Sequence, residues 1–224
     1  GDLIDASGAG AGAKVAFVAR NRPSALAALL GMLAKRCSIR MVYPFQSAEA
    51  LAKDIERIAP AIMVAEAEDF PETVTTVLAA GGVAGIALRG MDTHAVMGLA
   101  HSEKRGFTSL LPLVEILTSG TTGAPKPFPL DYEMLKQQIV ATVDLSAPLN
   151  TEALAPTLLM FPVSNISGLY STLPPLLSGQ RIVLLEKFTV NGWHDHLLRY
   201  QPQASGLPPA GIQMVLDSDI PPAD

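Results

Sequence analysis

Short apolar runs alternate with stretches of helical period along most of this chain. Runs at residues 14–19, 39–43, 61–65 and 83–88 are short, mainly apolar and bounded by turn residues, which predicts buried strands. Between them the period changes to that of helices, over 24–35, from Ser47 as cap to about Ile58, and over 71–80. Glu49 falls in the first turn of the second helix, where a negative charge is favourable. Residues 91–106, with His94 and His101, have no clean period and predict a surface excursion. Residues 113–118 predict another strand, and Asp131 is placed to cap a helix reaching Asp144. Pro148, Asn150 and Pro156 punctuate a boundary. The alternation then resumes: strand 157–161, helix 167–177, strand 181–185, helix 191–200, a short strand near 204–207 and helix 209–216.

Strand–helix alternation implies βαβ units and a largely parallel sheet. The expected fold class is therefore α/β, with two αβα lobes. Residues 14–150 would form the first lobe and 151–224 the start of a second, truncated one. Residues 1–13, rich in Gly, Ala, Ser and Asp, predict a tail or linker. No repeat of solenoid period is present.

The run Thr118-Ser119-Gly120-Thr121-Thr122-Gly123-Ala124-Pro125-Lys126 carries the chemistry. It places four hydroxyls, two glycines and a lysine in nine consecutive positions directly after an apolar strand. Glycines let backbone N–H groups approach a ligand, hydroxyls donate to its oxygens, and the lysine compensates its charge, so the run suits a polyphosphate. It is not a Walker loop, which needs adjacent Gly and Lys followed by Ser or Thr; Lys126 lies between Pro125 and Pro127. A solvated turn would favour Gly, Pro, Asn and Asp over consecutive hydroxyls.

At these residues the chain resembles the adenylate-forming (AMP-binding) superfamily, whose members include acyl-CoA synthetases, peptide-synthetase adenylation domains and luciferases. Residues 118–126 fit that family's phosphate loop at every position. Two further segments are similar to the family: 21–33, beginning Asn21-Arg22-Pro23, and 161–169, Phe161-Pro162-Val163-Ser164-Asn165-Ile166-Ser167-Gly168-Leu169, beside the acyl pocket. The resemblance implies part of the large N-terminal domain of an acyl-CoA synthetase-like enzyme, with ATP, Mg²⁺ and CoA as its cofactors. Ser119, Thr121 and Thr122 would donate to the β- and γ-phosphates, with Thr118, Gly120 and Gly123 completing the loop. Thr122 would also face Mg²⁺, and Lys126 would neutralise charge on the departing pyrophosphate. Gly120 and Gly123 are hinge candidates.

The chain also departs from the family. Pro127-Phe128-Pro129-Leu130 replaces the usual glycine and polar stretch and should stiffen the exit. Asn165 stands where histidine is common; it is either a polar group near the acyl or adenine pocket, with Gly168, or the cap of a following helix. No Gly-Tyr-Gly-x-Thr-Glu segment, no ribose-binding Ser/Thr-Gly-Asp segment and no C-terminal domain with a catalytic lysine are found. The expectation is a fragment of an ATP-dependent acid–thiol ligase, with no catalytic residue of its own and inactive without the remainder of the parent enzyme. An amino-acid-adenylating domain and a non-catalytic nucleotide-binding module are the rival expectations.

Composition narrows the partners. A net charge of −5 and the lack of a basic run argue against nucleic acid. Cys37 is the sole cysteine, which excludes an intrachain disulfide and is consistent with a cytoplasmic protein. Hydrophobic residues make up 49% and charged ones only 17%, so exposed apolar surface could drive homodimerisation. No apolar stretch is long enough to span a bilayer. His194 and His196 lie two apart, a poor spacing for a metal pair on one helical face. The acidic group Glu66, Glu68, Asp69 and Glu72 is expected to be a solvated loop and helix start. Met32, Met41, Met63, Met91 and Met97 are expected to fill core gaps. No Gly-x-Ser-x-Gly elbow is present, which removes a serine hydrolase.

Overall fold

The computed structural model describes residues 1–10, 12–103, 112–118, 126–143, 155–202 and 205–220. The chain divides into two compact units, Gly1–Leu135 and Lys136–Asp224, so the division falls earlier than the Pro- and Asn-rich stretch suggests.

The first unit is a mixed α/β layer built on a seven-stranded sheet. Strands β1 (Lys14–Val18), β2 (Ser38–Val42), β3 (Ile62–Glu66), β4 (Ala84–Arg89) and β6 (Leu113–Thr118) run parallel. Helices α2 (Pro23–Ala34), α3 (Ala48–Ile58) and α4 (Glu72–Ala80) make the connections. The order is β5-β4-β3-β1-β2-β6-β7, with antiparallel β5 (Asp92–Ala95) and β7 (Lys126–Asp131) at the two edges. Strands β1, β3 and β4 are buried on both faces and lack polar alternation, whereas β2 and β6 alternate, with Arg40 and Glu115 on the half-buried side.

Alternate side chains of each strand feed the two faces. Ala16, Val18, Val42, Met63 and Ala65 pack with Leu51, Ile55 and Ile58 of α3 and Val74 and Leu78 of α4. Helix α2 packs against β3 and β4. Helix α3 begins at Ser47, whose Oγ accepts from the Ala50 N–H at 3.2 Å, and ends at Ala59 in the left-handed region. The Lys14 ammonium donates to the Ile58 carbonyl at 2.6 Å, satisfying an orphan carbonyl of that helix end.

Several expectations are corrected here. Residues 2–6 form a short helix, α1, with Ile4 buried, so the N-terminal stretch is not a bare tail. The supposed surface excursion contains β5, joined to β4 by a tight turn at Gly90 and Met91; Gly90 has φ 58°, which suits a two-residue hairpin. All four β5 residues are exposed, so no hydrophobic pattern announced it. Residues 127–130 lie in β7. The helix expected to reach Asp144 is α5 (Tyr132–Gln138), followed by a 3₁₀ turn at Val140–Thr142. Asp131 does cap it: its Oδ1 accepts from the Met134 N–H at 2.6 Å. Met32, Met41 and Met63 are buried, whereas Met91 and Met97 are exposed.

The second unit has a two-stranded parallel sheet, β8 (Thr157–Leu159) and β9 (Ile182–Leu184). Helices α6 (Ile166–Leu177), α7 (Val190–Tyr200) and α8 (Pro209–Leu216) accompany it. Near the expected strand at 204–207 there is a single parallel bridge, Leu158 to Ser205. The Trp193 indole N–H donates to Ser205 Oγ at 2.9 Å, and Leu158, Met160 and Leu185 form a small core beside it.

Candidate functional site

In an open parallel sheet, ligands collect beyond the carboxyl ends of the strands, near the point where strand order reverses. Here β2 lies on one side of β1 and β3 on the other, so the reversal lies between β1 and β3. Two groups of polar and charged side chains occupy this carboxyl edge.

The first group fills the reversal itself. Arg20, just past β1, makes a two-pronged contact with Asp69: Nε to Oδ2 at 3.1 Å and Nη2 to Oδ1 at 2.6 Å. Its guanidinium also lies 5.6 Å from the Phe45 ring centre. Arg22 meets Glu68 at 3.2 Å and Glu66 at 3.5 Å. Ser24 Oγ donates to Glu66 Oε1 at 2.5 Å. Glu68 and Glu72 are exposed and Glu72 opens α4, as expected, but Glu66 and Asp69 are buried; with Glu68 they form the counter-charge of two arginines. Hydrogen bonding to Asp69 raises the Arg20 pKa above its ordinary value. Glu66 also sits beside the first turn of α2, where the helix dipole favours an anion. The fold thus supplies its own anion where many such sheets hold a phosphate.

The second group is the β6–β7 hairpin. Its six rungs run from Leu113 opposite Asp131 to Thr118 opposite Lys126. Pro127 and Pro129 lie two apart on β7 and so have their missing N–H groups on one side, a placement open to an edge strand. At the base, the Tyr132 hydroxyl donates to the Cys37 carbonyl at 2.6 Å. At the mouth, Thr118 Oγ1 donates to the Lys126 carbonyl at 3.0 Å. Lys126 is exposed, and among the described residues no carboxylate pairs with it. Ser119, Gly120, Thr121, Thr122 and Gly123 lie outside the described residues; the structure brings together only the two ends of the run, Thr118 and Lys126.

Asn165 and Gly168 fall in the second unit. Asn165 is the N-cap of α6, its Oδ1 accepting from the Gly168 N–H at 2.8 Å. A side chain at Gly168 would overlap the Pro162 carbonyl, so this glycine allows α6 to approach the preceding segment closely. Both residues therefore have local structural work. Cys37 is fully buried, and burial pushes its thiol up to about 11, which suits a packing residue rather than a nucleophile. His196 Nδ1 lies 2.6 Å from the Gly192 carbonyl of its own helix. Among the described residues, no group of three or more His, Cys, Asp or Glu side chains is placed to hold a metal. No described helix is long and apolar enough to cross a membrane.

The arginine–carboxylate cluster is what reasoning from sequence missed. Its signal was present as Arg20 and Arg22 after one apolar run and Glu66, Glu68 and Asp69 after another. Pairing them required knowing that β1 and β3 are neighbours.

The first unit is thus an α/β domain with a mostly parallel sheet and a hydroxyl- and glycine-rich run in the sequence between β6 and β7. Residues 2–224 match the family model described as AMP-binding enzyme, and the chain belongs to that family. An indoleacetate–CoA ligase of Aromatoleum aromaticum is 30% identical over 105 residues, which is 47% of this chain and 20% of the ligase. Among solved structures, ATP-bound MatB from Rhodopseudomonas palustris superposes with a TM-score of 0.72 at 20% identity, over 97% of this chain and 43% of MatB. O-succinylbenzoate CoA synthetase (MenE) from Bacillus subtilis, in complex with AMP, gives 0.62 at 16% identity, over 98% of this chain and 57% of that one. A red-emitting luciferase from Phrixothrix hirtus gives 0.70 at 17% identity, over 97% and 44%. The chain spans less than two thirds of each of these proteins, and its fold is that of the N-terminal domain of adenylate-forming enzymes.

Proposed function

We propose that this chain supplies the phosphate-binding part of an ATP-dependent acid–thiol ligase that activates a carboxylic acid and passes it to CoA. The observation that carries the reading is the pairing of Thr118 with Lys126, the two ends of the 118–126 run, at the carboxyl edge of the sheet in a chain of the AMP-binding family. In the first half-reaction a carboxylate oxygen attacks the α-phosphorus of ATP. A new O–P bond forms, the α–β bridge breaks and pyrophosphate leaves. In the second, a thiol sulfur attacks the acyl carbon and gives up its proton to solvent, a C–S bond forms, the acyl C–O bond to the phosphate breaks and AMP leaves. Neither half demands an acid–base pair from this chain; the first needs charge stabilisation and positioning.

Lys126 fits that task, because its ammonium is exposed and free of carboxylates among the described residues. Ser119, Thr121 and Thr122 would donate to phosphate oxygens, Thr122 would also hold Mg²⁺, and Gly120 and Gly123 would let the backbone close on the nucleotide. Asn165 and Gly168 would border the acyl or adenine pocket while capping and packing α6.

Calorimetric titration of the chain with MgATP tests the phosphate site; no heat of binding from wild type, with the same trace from Lys126→Ala, would refute it. Pyrophosphate exchange by the protein containing this chain, tried with fatty, aromatic and amino acids, tests the reaction. Exchange with amino acids alone would make it an amino-acid-adenylating domain, and exchange with none would leave a non-catalytic module. The chain by itself is expected to form no acyl-CoA.

A further inference from the structure

We propose that Thr118 is a positioning residue, which touches no phosphate and instead fixes the backbone of Lys126 and so the direction of the lysine side chain. This rests on reading the hairpin as an ATP phosphate site.

A threonine hydroxyl has one hydrogen to donate. Thr118 gives it to the Lys126 carbonyl at 3.0 Å. What remains on its oxygen is lone pairs, which repel a phosphate oxygen. Within the run of hydroxyls, Thr118 is thus set apart from the donors that follow it.

The hairpin shows why a clamp is needed there. Pro127 and Pro129 have no N–H, so the β7 donors available to β6 are Lys126, Phe128 and Leu130. The Lys126 rung is the last of the ladder and has no further rung beyond it among the described residues. A terminal rung frays most readily. The base of the hairpin is held by the Tyr132 hydroxyl on the Cys37 carbonyl and by the Asp131 cap on α5. The Thr118 bond adds a matching tie at the mouth. It acts on the main chain of Lys126, whose Cα–Cβ direction sets where a long, otherwise flexible ammonium can reach. Serine can make the same bond, and valine, of the same shape, cannot.

The test compares wild type, Thr118→Val and Thr118→Ser by residue-resolved amide hydrogen exchange and by MgATP titration. In Thr118→Val the Lys126 amide should exchange about fivefold faster, the usual worth of one such bond. Leu130 near the base should be unchanged, and Thr118→Ser should restore protection. MgATP affinity should weaken by a similar factor in the valine variant and recover in the serine variant. Unchanged exchange in Thr118→Val would overturn the clamp. Lost affinity with unchanged exchange would overturn it too, because Thr118 would then contact the ligand itself. If wild type binds no MgATP, the nucleotide reading fails, and the exchange data still decide whether Thr118 ties the hairpin.

Discussion

The carboxyl edge of the first sheet holds charge in two opposite ways. Between β1 and β3, Arg20 and Arg22 are matched by Glu66, Glu68 and Asp69, and the serine beside them is bonded to Glu66. Next to β2, the β6–β7 hairpin presents Lys126 with no carboxylate partner among the described residues. The two regions lie on the same edge of one sheet, yet only the second leaves a cation for a ligand. Paired charges answer the folding problem, since a buried ion left alone costs several kcal/mol. Unpaired, exposed charge has no such role, and its cost in solvent is small.

The largest effect that could break this contrast is at Asp69. Replacing it with Ala removes the two-pronged partner of the Arg20 guanidinium, whose side chain is only 14% exposed and which keeps Glu68 at 3.3 Å. Chemical denaturation should then show a loss of about 2–3 kcal/mol, the worth of a hydrogen-bonded contact to a charged group. MgATP affinity of the molecules that stay folded should be unaltered. A cost below about 1 kcal/mol, the range of exposed pairs, would demote the cluster to surface decoration. Changed nucleotide affinity would make it part of the binding site.

Lys126 should behave in the reverse manner. Lys126→Ala should leave the unfolding transition in place, because the side chain is exposed and makes no ion pair among the described residues. Adenylation by the protein containing this chain should fall roughly 10²–10³-fold, as when one preorganised electrostatic group is removed from a transition state. A destabilised Lys126→Ala protein with normal adenylation would invert the contrast.

These two regions also show what a sequence can display. The central strands β1, β3 and β4 were visible because burial on both faces makes them almost wholly apolar, and α3 was visible from Ser47 onward. The edge strands were not. β5 is exposed throughout and β7 carries two prolines, so neither has the periodic signal that burial imposes. The 118–126 run was legible because its hydroxyls, glycines and lysine are consecutive. The arginine–carboxylate cluster was not, because it joins residues 20–24 to residues 66–69 through the strand order. Asn165 was legible only as a pair of alternatives, and the cap geometry fills one without emptying the other.

The base of the hairpin offers a pH test of intermediate size. Burial pushes the Cys37 thiol up from an ordinary 9.0 to about 11, and burial likewise raises the Tyr132 hydroxyl. Both groups are neutral in either state well below pH 9. Above it the unfolded chain ionises first, so stability falls as pH rises, for Cys37 across about 9 to 11. Two pKa units correspond to a loss of up to about 3 kcal/mol. Cys37→Ala should flatten that part of the profile, whereas an equal alkaline slope in the variant would show that the thiol is not its source.

The smallest effect concerns Asn165, where structural and ligand roles meet in one side chain. Asn165→Ala removes the acceptor for the Gly168 N–H and should cost about 1 kcal/mol of stability in thermal unfolding. Asn165→Asp keeps an oxygen acceptor at the helix N-terminus and adds a charge the dipole favours, so its stability should match or exceed wild type. If the side chain only caps α6, the aspartate variant will bind nucleotide and acid as wild type does. If it also borders the pocket, the added negative charge will weaken binding of the carboxylate substrate while stability holds. That divergence between stability and binding, in a variant that preserves the cap, would move Asn165 from the committed side of the contrast to the uncommitted one.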